Sequence, residues 1–182
     1  MLTLLGLPYE ETTIDLLAGA QKRPEFLARN GFGQVPVLED GPVTIADSNA
    51  ILVYLATRYD EARRWLPSDP AAQAAVQRWL SVAAGELAHG PAAARRSLVF
   101  GGPNEARYAE IAKRLFTAME RHLEGRDWLA SEHATIADLA MYTYSAHAPE
   151  GDISLEDYPR LRAWLARVEA LPDFVPMKRA KS

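Results

Sequence analysis

Apolar and polar positions change their rhythm near residues 60–68. Before that point, short β-branched and apolar runs are punctuated by Gly and Pro; beyond it, apolar residues recur at helical spacing without strand signals. In the first part, residues 9–15 mix polar side chains with Thr12, Thr13 and Ile14, which predicts a strand. Pro24 opens a short helix through Ala28, because proline is tolerated in a first helical turn. Val35 to Leu38 and Val43 to Ile45 flank Glu39-Asp40-Gly41, a hairpin signal with Asp-Gly at its tip. Asp47 or Ser48 then caps a helix running to about Tyr59, with Ile51, Leu52 and Leu55 on its inner face.

The second part reads as a helical bundle. Asp69-Pro70 is a cap followed by a first-turn proline. Val76, Leu80, Ala83 and Leu87 follow at helical spacing, until Gly90-Pro91 interrupts the ladder. Tyr108, Ile111, Leu115 and Met119 form the stripe of a further helix, closed by Gly125. Thr135-Ile136-Ala137-Asp138 opens another as a capping box. Leu161, Trp164, Leu165, Val168 and Leu171 mark the last, ended by Pro172. The expected architecture is therefore an α/β unit over 1–60 and an all-helical unit over 68–182.

Composition narrows the chemistry more than it identifies it. The chain has 182 residues, 48% hydrophobic and 24% charged, enough to fill a core in one domain or two small ones. A net charge of -4 without a basic block gives no footing for nucleic acid or an acidic membrane surface. With no cysteine there are no disulfides, thiolate metal sites or cysteine nucleophile. Met1 to Leu7 lacks the positive flank of a secretory signal, and no stretch approaches the ~18 apolar residues of a membrane helix. A cytoplasmic globular protein is expected. His89, His122, His133 and His147 show no metal-ligand or triad spacing and read as surface or interface residues. Arg95-Arg96 reads as a solvated face. Trp79, Tyr108 and Tyr142 lie on helix stripes and read as core, with a substrate-lining role second.

Three local patterns stand in a telling order: Gln34-Val35-Pro36-Val37-Leu38, Asp47-Ser48-Asn49-Ala50-Ile51, and Thr135-Ile136-Ala137-Asp138. With Leu7-Pro8-Tyr9-Glu10 and Arg162-Ala163-Trp164-Leu165, they make the chain resemble bacterial-type glutathione S-transferases from Leu4 onward. The resemblance implies a thioredoxin-like N-terminal domain followed by an all-α C-terminal domain. It also implies a cis bond before Pro36, low in cost for X-Pro. Such a bond turns the Val35 backbone outward, to pair with the cysteinyl unit of glutathione as an added strand would. Ser48, at a helix mouth, is implied to take the γ-glutamyl carboxylate, with Asp47 near the ligand's ammonium group and Gln34 touching its backbone. Simpler accounts exist for each: a turn for Val35-Pro36, a helix cap for Asp47 and Ser48, a solvated turn residue for Gln34; Lys22 and Arg23 could meet the glycyl carboxylate but read first as a surface pair. Thr135 and Asp138 are implied to serve folding.

In the resembled family a strand and helix of about twenty residues precede this point, and the chain is expected to lack them. Met1 to Leu7 looks like the tail of that helix. The thiol-activating Tyr, Ser or Cys belongs to that segment, so no catalytic residue is identified here. The implied activity is attack of glutathione thiolate on a hydrophobic electrophile in detoxification, with glutathione as a consumed co-substrate, no cofactor and no metal. A homodimer is implied too. The alternative is a non-catalytic binding or dimerisation module of the same fold.

Overall fold

The structure is a computed structural model and describes residues 1–180. Near the N-terminus, Thr3–Leu5 make a 3-10 turn. Gly6 closes it with a left-handed φ of 63° that only glycine adopts freely, giving its N–H to the Thr3 carbonyl. A second 3-10 turn, Ala20–Lys22, leads into α1, Pro24–Leu27, with proline in the first turn as expected. Strands β1, Val37–Asp40, and β2, Val43–Ala46, pair antiparallel with Val37 opposite Ala46 and Asp40 opposite Val43. The turn is Gly41-Pro42, one residue beyond the expected tip, and Gly41 supplies the positive φ of 56°. Helix α2, Ser48–Tyr59, follows directly, with Leu55 and Ala56 buried.

The predicted strand over residues 9–15 does not form. The sheet contains only β1 and β2, and no backbone hydrogen bond ties residues 9–14 to another segment among the described residues. Tyr9 through Thr13 are exposed. β-branched composition favours a pleated surface only where a neighbouring ladder exists, and none lies beside this stretch.

The helical half comprises α3 Pro70–Val82, α4 Pro91–Phe100, α5 Ala106–His122, α6 Ile136–Ala146 and α7 Pro159–Glu169. A π-helical stretch, Ala83–Leu87, continues α3 before Gly90 breaks it. A Cβ at Gly90 would lie 2.8 Å from the Ile111 side chain, so the break is also where the α3–α4 corner presses onto α5. The last helix stops at Glu169, short of Pro172. The core centres on Phe116, Met119, Ile136, Met141, Leu161 and Trp164, all fully buried.

The two halves are stitched through residues between them. The Asp60 carboxylate accepts from Trp65 N–H at 2.6 Å, and the Trp65 carbonyl accepts from Ile136 N–H at 2.9 Å. Asp60 and Trp65 are both buried, so the connection threads into the helical core instead of swinging free. Met1, Leu4, Leu5, Leu52 and Val53 pack against the same core.

Candidate functional site

The hairpin register does most of the work of assembling the site. Val37 faces Ala46 in the last pair of the ladder, so Pro36, just before β1, and Asp47, just after β2, both leave the hairpin at its open end. The two motifs thus flank the open end of the hairpin. The Val35–Pro36 bond is cis, as expected. Val35 is 42% exposed, and its N–H and C=O join no backbone hydrogen bond among the described residues.

At the mouth of α2, the cap divides the donors. Asp47 Oδ1 accepts from the N–H groups of Asn49 and Ala50, each at 2.9 Å. Its carbonyl accepts from Ile51 N–H at 2.9 Å. That last bond is the first of the regular helical ladder; of the four N–H groups a helix start leaves over, the Asp47 carboxylate takes two, those of Asn49 and Ala50. Ser48 keeps both its N–H and its hydroxyl, and it is exposed. These two donors stand at the positive end of a helix of 12 residues, where an anion is favoured. Asp47 has φ 82° and ψ 128°, a backbone state that L-residues rarely adopt. Strain of this kind persists only where the surroundings hold it, and it gathers at ligand clamps.

Gln34 is exposed, and its backbone is more constrained than its side chain. The Gln34 carbonyl accepts from Asn30 Nδ2 at 2.7 Å, while Asn30 Oδ1 accepts from Phe32 N–H at 3.1 Å. Asn30, 7% exposed, therefore folds the loop that delivers Val35. Lys22 Nζ donates to the Phe32 carbonyl at 3.1 Å across the same loop. Gly33 is required there: its φ is 60°, and a Cβ would lie 2.8 Å from the Gln21 carbonyl and 2.9 Å from the Lys22 side chain.

Helix α2 is pinned to the hairpin at its far end as well. The Asp40 carboxylate accepts from the hydroxyls of Tyr54 at 2.7 Å and Tyr59 at 2.5 Å. Those bonds, Tyr59's first, hold the Asp40 carboxyl below its ordinary range and raise both phenols. A cavity of about 970 Å³ runs between residues 7–14 and the outer edge of β1. Val35, Pro36, Asp40 and Tyr59 line it, with Leu55 and Phe26; Gln34, Asp47 and Ser48 do not.

Away from this site, the third motif, Thr135 to Asp138, behaves as expected. Asp138, fully buried, accepts from the N–H groups of Thr135 at 2.9 Å and Leu129 at 3.0 Å, and from Trp164 Nε1 at 2.9 Å. Thr135 Oγ1 caps the Ala137 N–H at 3.3 Å. Burial pushes the Asp138 carboxyl up against the pull of these donors. Trp79 and Tyr142 are core residues, their polar atoms given to the Leu129 carbonyl and the Glu169 carboxylate.

Two readings need correction. Arg95 is not on a solvated face: its Nε lies 2.8 Å from Glu150 Oε2, with both side chains under 20% exposed. His147 is not a surface residue: it is 4% exposed and its Nδ1 lies 2.5 Å from Glu150 Oε1. The Arg95–Glu150 pair bridges α4 to the Ala148–Gly151 turn, a long-range contact with no local sequence signal, and the His147–Glu150 pair is local to that turn.

Comparison with known proteins gives a consistent result. Residues 1–57 match the model of the glutathione S-transferase N-terminal domain, and residues 104–172 that of the C-terminal domain. Human glutathione S-transferase theta-2 is 35% identical over 176 residues, covering 91% of this chain and 72% of its own. The crystal structure of a glutathione S-transferase from Pseudomonas fluorescens superposes with a TM-score of 0.87 at 37% identity, covering 96% of this chain and 89% of that one. A glutathione transferase homolog from Drosophila mojavensis, solved with bound glutathione, gives a TM-score of 0.83 at 29% identity, covering 94% and 80%.

Proposed function

The chain belongs to the glutathione S-transferase family, and on that premise we propose that it binds glutathione at the hairpin mouth and presents the thiolate to a hydrophobic electrophile. The observation that carries this reading is that an exposed Val35-Pro36 edge and the two free donors of Ser48 flank the same open end of the hairpin. The γ-glutamyl carboxylate takes the Ser48 N–H and hydroxyl. Asp47 Oδ1 is occupied by the cap, and its other oxygen is left for the ligand's ammonium group. The cysteinyl backbone pairs with Val35 as a short added strand, and Gln34 contacts the tripeptide backbone from the loop.

In this arrangement the cradle supplies orientation, the part of catalysis that comes from holding two reactants in one geometry. Sulfur activation is assigned to none of these residues. The electrophile is placed against the helical half, glutathione is consumed as co-substrate, and no metal takes part. A cytoplasmic homodimer completes the proposal; light scattering at micromolar concentration, showing twice the chain mass, is the check on assembly. Among the described residues no helix is long and apolar enough to cross a membrane.

Retention on immobilised glutathione, eluted by the free tripeptide, tests binding; turnover of a chromogenic aryl halide tests transfer. Retention with turnover is the expected result. Retention without turnover identifies a non-catalytic binding module. A folded protein that is not retained overturns the proposal.

A further inference from the structure

Asn49 follows Ser48 directly, yet its side chain points away from the hairpin mouth. Its Nδ2 donates to the carbonyl of Leu80, 3.0 Å away in α3. Its own backbone N–H is held by Asp47 Oδ1. One half-buried residue therefore joins the cap of α2 to the helical half of the molecule.

The acceptor is not an arbitrary carbonyl. Leu80 is 3% exposed and lies just before Ala83–Leu87, where α3 widens into a π-helix. The N–H of Ala83 makes its regular bond to the Trp79 carbonyl and shares a second with that of Leu80, so the Leu80 carbonyl accepts from both Ala83 and Asn49. Single π-turns inside helices recur at functional sites. The Asp47 turn is itself strained, at φ 82°, and a strained turn keeps its geometry only when neighbours over-determine it.

We infer that Asn49 is a positioning residue: through the Leu80 carbonyl, the helical half holds the mouth of α2, and hence the Ser48 donors, at the end of the hairpin. The inference rests on the glutathione-binding reading for its ligand, and on geometry alone for its anchor. Asn49 touches no ligand; it acts through Asp47 and Ser48. Loss of the tie lets the first turn of α2 sample other positions, so the two Ser48 donors are aligned for only part of the time.

Asn49→Leu keeps the branched shape, with bulkier ends, and removes the donor, whereas Asn49→Gln keeps a donor on a longer stem. Calorimetric titration with glutathione is run where circular dichroism shows each variant folded, and amide exchange is followed by mass spectrometry. Asn49→Leu is expected to weaken glutathione binding about five- to tenfold, the effect of one lost hydrogen bond. Asn49→Gln is expected to recover most of that affinity. Amide exchange in the first turn of α2 should quicken in Asn49→Leu while α5 and α6 stay unchanged. A purely structural role predicts lower thermal stability with unchanged affinity in the folded variant, and that result overturns the inference. If Asn49→Leu does not fold, Asn49→Ser carries the same comparison. If the unmodified protein itself fails to bind glutathione, the cradle reading falls instead. The exchange data then decide Asn49 alone: quickened exchange in the first turn supports the anchor, unchanged exchange refutes it.

Discussion

Replacing Ser48 by alanine tests the division of donors at the helix mouth. Within the first turn of α2, the Asn49 and Ala50 N–H groups are committed to the Asp47 carboxylate, and the Ile51 N–H makes the first regular helical bond, to the Asp47 carbonyl. An incoming carboxylate therefore finds two donors, the N–H and the hydroxyl of Ser48. Ser48→Ala removes one and leaves the other. A hydrogen bond to a charged group is worth about 1.5–3 kcal/mol, and solvent at this exposed position puts the expected loss near the low end, about 1–2 kcal/mol. That converts to a glutathione dissociation constant roughly five- to thirtyfold weaker. The cap is untouched, since Asp47 makes it, so thermal stability should change by less than about 0.5 kcal/mol. Isothermal titration of both proteins, with thermal melts alongside, gives both numbers. An affinity within twofold of the original would refute the assignment and reduce Ser48 to an ordinary first-turn residue. A large loss of stability would refute the division of donors.

Three other outcomes follow from the packing and the charges. Asp138→Ala strands the buried donors of Thr135, Leu129 and Trp164 and should cost about 3–5 kcal/mol, read from denaturant midpoints. Gly151→Ala forces a methyl to 2.6 Å from the Arg95 nitrogen, which is backbone and cannot step aside; a loss of about 1–3 kcal/mol in the same assay is expected. Asp40 has its carboxyl held low by the Tyr59 and Tyr54 hydroxyls. Its stabilising contribution is therefore present above the unfolded pKa and fades as pH falls through the lower folded value. Carboxyl-carbon NMR should show Asp40 titrating below an ordinary aspartate, and Tyr54→Phe with Tyr59→Phe should restore the normal value. A normal titration in the unmodified chain would contradict the clamp.

Much of this architecture was legible from local chemistry. Asp69-Pro70, Asp47 before α2 and Thr135 with Asp138 are caps whose partners lie within three residues, so short-range rules suffice to find them. The hairpin followed from Asp40-Gly41 for the same reason, with its turn displaced by one residue. Residues 9–15 failed because strand formation depends on a neighbour, which Thr12, Thr13 and Ile14 cannot announce. Asn30, Asn49, Asp60 and the Arg95–Glu150–His147 cluster were missed or misread because their partners or their burial depend on how elements pack. The site itself falls between these cases. Each motif was visible, but the pairing of Val37 with Ala46 was needed to place both at the open end of one hairpin.

The most direct measurement is a crystal structure of the protein grown with glutathione. The tripeptide should lie along Val35, its γ-glutamyl carboxylate within hydrogen-bond reach of both the Ser48 N–H and hydroxyl. Density for the tripeptide elsewhere, with the Ser48 donors facing only solvent, would contradict the account.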